Sequence, residues 1–244
     1  MSCYGPLAAW YDQLTGDVPY PAFADSYEKE FKKNGGEFRL LLDLFCGTGT
    51  LTQIMTQRGY EMIAVDASED MLMQAREKTD DFTAAPLFLC QEASELDLYG
   101  TVDAAFCSLD GINYIPPDEL PELFRRLKLF IRPGGLFLFD IRSPQWLMSM
   151  DGQIYVDDQE DVLCLWRSEL DREENCIYYG MDIFSRKGTL WERSEEEHTE
   201  YIHDFDFLKK LLLSEGFMNI RILEDGPQSD LGRISIAAER ASQQ

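Results

Sequence analysis

The chain has 244 residues, 45% of them hydrophobic, and carries 22 Lys and Arg against 45 Asp and Glu, a net charge of −23. That length buries a substantial core and fits one domain with an elaboration. The charge disfavours RNA or DNA, whose binding needs clustered Lys and Arg, and any role it has beyond solubility favours cationic ligands.

No stretch of eighteen apolar residues occurs, and Leu7-Ala8-Ala9-Trp10 is too short for a secretory segment, so a cytoplasmic protein with no membrane contact is expected. Six cysteines (Cys3, Cys46, Cys90, Cys107, Cys164, Cys176) are scattered without paired spacing, which points to a reducing compartment. With only His198 and His203 beside them, no metal site is expected.

In chain order, Phe23, Tyr27, Glu30 and Phe31 predict an amphipathic helix from Tyr20 to about Lys33, ended by Asn34-Gly35-Gly36. The apolar run Leu40-Leu41-Leu42 then reaches Asp43, turns through Gly47, Thr48 and Gly49, and resumes as a helix with Leu51, Ile54 and Met55 on one face. Glycines at such a turn take positive φ and leave the N–H groups of the first helical turn open to a ligand. Ile63-Ala64-Val65 is a second strand ending in Asp66, about twenty residues beyond the turn, where an acid meets a ribose diol. Asp43 inside the turn would repel a pyrophosphate and suits a ligand with an ammonium and a sulfonium.

After Asp66 and Ala67, Ser68 caps a helix carrying Met71, Leu72 and Ala75; Met71 either touches an adenine or packs in the core. Pro86–Cys90 is a third strand followed by Glu92 and Ala93, an acid and a small residue able to supply an acceptor and a backbone donor to adenine. Asp103–Cys107 is a fourth strand, running into Ser108-Leu109-Asp110-Gly111-Ile112-Asn113-Tyr114 at the edge where ligands sit in open sheets. Asp110 there is a candidate to orient an acceptor or take its proton, with Asn113 and Tyr114 positioning it; the alternative is a locally bonded turn.

A helix from Asp118 ends at Pro133-Gly134-Gly135, and Leu136–Asp140 is a fifth, fully buried strand. Between about Ile154 and His203 the pattern alternates around turns at 171–175 and 185–188, predicting an antiparallel meander. Leu163, Leu165 and Trp166, then Ile177, Tyr179, Met181 and Ile183, carry that alternation. Tyr155, Trp166, Tyr178, Tyr179 and Trp191 offer aromatic surface to a small substrate or to a dimer partner. His198 is a candidate base. A last helix from Asp204 to Gly216, strands over 218–223 and 234–238, and a fraying tail at 241–244 complete the chain. The expected fold is α/β: a doubly wound, mostly parallel seven-stranded sheet with helices on both faces, plus the inserted meander over the substrate side.

Asp43-Leu44-Phe45-Cys46-Gly47-Thr48-Gly49, with Asp66 and Arg132-Pro133-Gly134-Gly135, resembles the class I S-adenosylmethionine-dependent methyltransferases over nearly the whole chain. Tyr11-Asp12-Gln13-Leu14, Asp17-Val18-Pro19-Tyr20 and Asp110–Tyr114 resemble more narrowly a small bacterial branch of them. Phe45 departs from the family pattern, which has a glycine there. The resemblance implies S-adenosylmethionine as cofactor, held by Tyr11, Tyr20, Asp43, Gly47, Thr48, Gly49, Asp66, Ala67, Met71, Glu92, Ala93 and Leu109. Asp110, Asn113, Tyr114 and His198 then face a small-molecule acceptor. The chain is thus expected to divide into a cap segment over 1–36, a cofactor-binding unit over 37–153 and 204–244, and an acceptor-side unit over 154–203, in a monomer or homodimer. Two alternatives stay open: a non-catalytic sensor of the same ligand, and an NAD-dependent oxidoreductase, which lacks its third glycine where Thr52 stands.

Overall fold

The computed structural model describes residues 5–242, so Cys3 and the last two tail residues, Gln243 and Gln244, lie outside the described residues. A short helix α1 (Tyr11–Leu14) precedes α2 (Tyr20–Asn34), which stops where Gly35 takes a φ of 75° and donates to the Phe31 carbonyl. Next come β1 (Leu40–Leu44), α3 (Thr50–Gln57), β2 (Glu61–Asp66), α4 (Glu69–Glu77), β3 (Leu87–Cys90) and β4 (Val102–Cys107). Ser68 caps α4 by accepting from the Met71 N–H at 3.3 Å. After α5 (Leu120–Phe130), strand β5 (Ile131–Arg142) absorbs the Arg132-Pro133-Gly134-Gly135 run through a register shift against β4.

Helix α6 (Pro144–Ser149), capped by Ser143, is absent from the sequence reading because six residues carry too little periodicity. The meander has four strands, β6 (Ile154–Asp158), β7 (Val162–Asp171), β8 (Cys176–Lys187) and β9 (Leu190–Tyr201). Helix α7 (Phe205–Ser214), capped by Asp204, and strands β10 (Phe217–Ile222) and β11 (Arg233–Arg240) return to the main sheet.

That sheet has the order β10-β11-β5-β4-β1-β2-β3, with β1 to β5 parallel and β11 antiparallel to both neighbours. The chain reverses its winding between β1 and β4, which leaves a crevice at their carboxyl ends. Leucines and phenylalanines of α5 and α7 cover one face, and Phe23, Tyr27 and Phe31 of α2 with Leu51 and Met55 of α3 cover the other. The expected doubly wound architecture and the separate antiparallel sheet are both present.

The strict period of two fixes which side of the meander faces inward. Tyr155 pairs with Trp166, Trp166 with Met181, Tyr179 with His198, and Ile177 with Glu200, so these residues share one face. On β7 the buried set is therefore Val162, Cys164 and Ser168, with Trp166 half-buried among them. Leu163 and Leu165 point to the other face, as do the exposed Tyr178 and Trp191. The N-terminal segment divides: Leu7, Trp10, Tyr11 and Leu14 pack on the meander, whereas α2 packs on the main sheet.

Candidate functional site

The glycine turn is built from unusual backbone. Phe45, Gly47 and Gly49 all have positive φ, at 58°, 53° and 73°. Gly49 opens α3, and a Cβ there would lie 2.8 Å from that of Ala75, so this glycine lets α3 approach α4. Phe45 takes up the left-handed conformation at the position where the family pattern has a glycine, and its ring lies against Gly111.

These elements enclose a cavity of about 470 Å³ at the carboxyl ends of β1 and β2. Tyr11, Tyr20, Asp43, Gly47, Thr48, Asp66, Ala67, Met71, Glu92 and Leu109 line it, together with Phe45, Ser108 and Tyr114. Phe45 forms wall and leaves the space open. Of the residues assigned to the cofactor from sequence, Gly49 and Ala93 fall outside the lining: Gly49 for the packing reason above, and Ala93 because it is buried in the core beneath Glu92. Among the described residues, no Lys, Arg or His lines the cavity, while Asp43, Asp66 and Glu92 do.

Asp43 is buried and accepts from the Thr52 hydroxyl at 2.5 Å. Burial pushes its carboxyl up to about 7, the charge of Asp66 adding to this and the Thr52 hydrogen bond opposing it. Asp66 accepts from the Gly47 N–H at 2.8 Å and the Ser68 N–H at 2.9 Å, so one acid ties the glycine turn to the start of α4. Burial raises its carboxyl too, against the pull of those N–H groups. Asp12 on α1 accepts from the Thr48 and Thr50 hydroxyls at 2.6 and 3.2 Å and pairs with Lys78, which latches α1, and with it Tyr11, onto the turn. Tyr20 is raised to about 12, chiefly by burial.

A second cavity of about 640 Å³ lies between the main sheet and the inner face of the meander. Tyr11, Leu109 and Tyr114 belong to both linings. Tyr155, Trp166 and Tyr179 line it, with Trp146 of α6 and the polar group Asp110, Arg142, Ser168, His198, Glu200 and Arg233. Its floor is a buried ion cluster. Arg233 holds Asp110 at 2.6 Å and also Asp140, whose two oxygens accept from the Leu109 and Asp110 N–H groups at 3.0 and 2.9 Å. That cluster fixes Leu109 and Asp110 at φ values of 58° and 60°. Asp110 therefore faces the second cavity with one oxygen already engaged by a guanidinium.

Asn113 does not face either cavity. It is fully buried, donating to the Tyr201 carbonyl at 2.9 Å and accepting from the Arg142 N–H at 2.9 Å, which joins β9 to β5. His198 does line the second cavity; its Nε2 lies 3.1 Å from Glu196, and its ring meets Tyr114 edge-on at 6.0 Å. Glu196 in turn accepts from the Leu7 N–H at 2.7 Å, so this pair also anchors the N-terminal segment. Sequence reasoning missed Asp140, Arg233 and Glu200 as site residues. Asp140 ends an apolar strand as Asp43 and Asp66 do, and the alternation of Glu196, His198 and Glu200 placed all three on one face.

The first cavity offers acids to an ammonium, a sulfonium and a ribose, and offers no cation to a pyrophosphate. That fold and donor set suit S-adenosylmethionine, and likeness to known methyltransferases makes the chain an S-adenosylmethionine-dependent methyltransferase with that cofactor. The family model described as a methyltransferase domain matches residues 41–135. YqeM from Bacillus subtilis (strain 168), named provisionally as a methyltransferase, is 27% identical, the match covering 91% of this chain and 89% of YqeM. An S-adenosylmethionine-dependent methyltransferase from Clostridium acetobutylicum ATCC 824 superposes with a TM-score of 0.85 at 27% identity, over 99% of this chain and all of that one. The sugar N-methyltransferase KedS8 from Streptoalloteichus sp ATCC 53650 shares the fold, with a TM-score of 0.81 at 19% identity over 99% and 95% of the two chains. Among the described residues, no helix is long and apolar enough to cross a membrane.

Proposed function

We propose that this enzyme methylates a small-molecule acceptor held in the second cavity. The observation that carries this reading is the shared wall: Tyr11, Leu109 and Tyr114 belong to both cavities, so a donor in one and an acceptor in the other meet there. S-adenosylmethionine supplies a methyl group already activated by its sulfonium. The protein's task is alignment, a contribution worth roughly 7–11 kcal/mol in favourable cases. In this reading Asp43, Gly47, Thr48, Asp66, Ala67, Met71 and Glu92 hold the cofactor, Tyr11 and Tyr20 close over it, and Leu109 and Tyr114 set the reacting edge. Asp110, positioned by Arg233 and Asp140, bounds the acceptor. Residues 1–36 act as cap, 37–153 with 204–244 as the cofactor unit, and 154–203 as the acceptor wall. A nucleic-acid acceptor is disfavoured by the net charge of −23.

Release of S-adenosylhomocysteine in the presence of a panel of small amines and alcohols tests this, with Trp166→Ala as the diagnostic variant. Its acceptor KM should rise about tenfold while cofactor affinity holds, since Trp166 lines only the second cavity. Methylation of RNA or protein in preference to every small acceptor, or an unchanged KM in the variant, would overturn the reading.

A further inference from the structure

Four carboxylates line the second cavity, Asp17, Asp110, Asp157 and Glu200, against two arginines. Both guanidiniums already have partners. Arg233 is held by Asp110 and Asp140, while Arg142 lies 3.9 Å from Asp110, donates to the Leu231 carbonyl and stacks on Trp146 at 4.2 Å. Glu200 is different. It is 6% exposed, it lines the cavity, and its Oε2 is buried with no hydrogen-bond partner among the described residues.

A buried carboxyl oxygen without a donor costs roughly 1–3 kcal/mol and contributes nothing to folding in return. At a cavity wall, a ligand carrying a donor would complete it. Burial holds the Glu200 carboxyl well above the usual carboxylate range and the charge of Asp110 adds to this; Arg142 and Arg233 act in the opposite direction without cancelling it. What the position lacks is a cation with N–H donors. Its surroundings suit one, because Trp166, Tyr179 and Tyr155 present aromatic surface in the same cavity. A hydroxyl would bring a donor but no charge.

We infer that Glu200 anchors a positively charged amine of the acceptor, so that the second cavity selects amine-bearing small molecules over their hydroxyl counterparts. This rests on the acceptor occupying that cavity, as proposed above. Asp110 bounds the same space with its charge committed to Arg233, Asp17 is exposed to solvent, and Asp157, half-buried, accepts from the Gln159 amide at 2.8 Å, which leaves Glu200 as the buried carboxyl that decides between the two classes.

The test uses matched pairs, 2-phenylethylamine with 2-phenylethanol and glucosamine with glucose, titrated into full-length protein saturated with S-adenosylhomocysteine. In the wild type the amine of at least one pair should bind tenfold or more tighter than its alcohol. Glu200→Gln should remove that preference, keep S-adenosylhomocysteine affinity, and melt no lower than wild type. Equal affinities within both pairs, or a preference that survives in Glu200→Gln, would sink the role of Glu200 while leaving the acceptor cavity in place. A lower melting temperature in the variant would mark Glu200 as a structural group and also overturn it. Absence of binding by all four probes would count against the acceptor cavity as well as against Glu200.

Discussion

The ring of Phe45 rests against Gly111, where an added Cβ would stand 3.0 Å from two of its ring carbons and 2.7 Å from the Cys107 sulfur. A phenylalanine in the left-handed region costs about 1–2 kcal/mol, and the missing side chain at 111 gives its ring a place to pack outside the cofactor space. Gly111→Ala should therefore destabilise the protein by about 1–3 kcal/mol in denaturant unfolding and weaken S-adenosylmethionine binding, because the displaced ring moves out of the wall into the cavity. In the double variant with Phe45→Gly the two costs should be markedly less than additive. Additive effects would show that the two residues do not share this space.

Asp43 gives cofactor binding a pH dependence of definite sign. Its carboxyl, pushed up to about 7 by burial, is largely protonated at pH 6 and largely ionised at pH 8. A cationic ligand favours the ionised form, so binding releases protons and affinity should rise severalfold between pH 6 and 8. The ligand-free protein runs the other way: a raised folded pKa stabilises it in acid and loses that contribution as pH climbs from the unfolded value towards 7. Calorimetry in buffers of different ionisation enthalpy measures the released protons. Asp43→Asn should bind more weakly and flatten most of the slope.

Asp66 joins two structural tasks to its expected contact with the ribose. Removing it leaves the Gly47 and Ser68 N–H groups without their acceptor, besides deleting charge-assisted bonds worth about 1.5–3 kcal/mol each. Asp66→Ala should lower S-adenosylmethionine affinity at least tenfold by calorimetry. Undiminished binding would show that the acid serves the turn alone.

Asn113 carries the contrast between a substrate contact and an architectural one. Its amide bridges the Tyr201 carbonyl and the Arg142 N–H, so Asn113→Ala should destabilise the protein by about 1–3 kcal/mol through two unsatisfied backbone groups. Cofactor affinity should be preserved at temperatures where the variant is folded. A large loss of kcat without loss of stability would restore the acceptor-side role read from the sequence.

The legible parts of this chain were those governed by local pattern. Strand β1 with its glycine turn, Asp66 closing β2 and the Ser68 cap each follow from periodicity and backbone chemistry within a few residues. Phe45 showed the limit of a motif, because a residue type says less than the φ it adopts. Asn113 and Asp110 sit in the expected loop, yet their partners Tyr201, Arg142 and Arg233 lie 29 to 123 positions away, and no local rule reports them. Glu200 was hidden differently. In a run of nine polar and charged residues, 192–200, only the strand register separates the buried face from the wet one.

Arg233 offers the sharpest separation of architecture from chemistry. It is 3% exposed and its guanidinium compensates both Asp110 and Asp140, so Arg233→Met leaves Asp140 without a counter-charge and Asp110 with only Arg142, 3.9 Å away. Breaking such a buried cluster costs about 3–5 kcal/mol. Burial already raises the Asp140 carboxyl and Arg233 restrains it; in the variant that restraint is gone, and the folded state holds its proton more tightly. The stability gap to wild type should then be widest at neutral pH and narrow as pH falls towards 5, read from urea midpoints across that range. Arg233→Met with Asp140→Asn should recover part of the stability at neutral pH but not the Leu109–Asp110 turn, whose N–H groups need a carboxylate with two accepting oxygens. Methyl transfer should stay low in that double variant even where it is fully folded, because Leu109 stands in the wall between the two cavities.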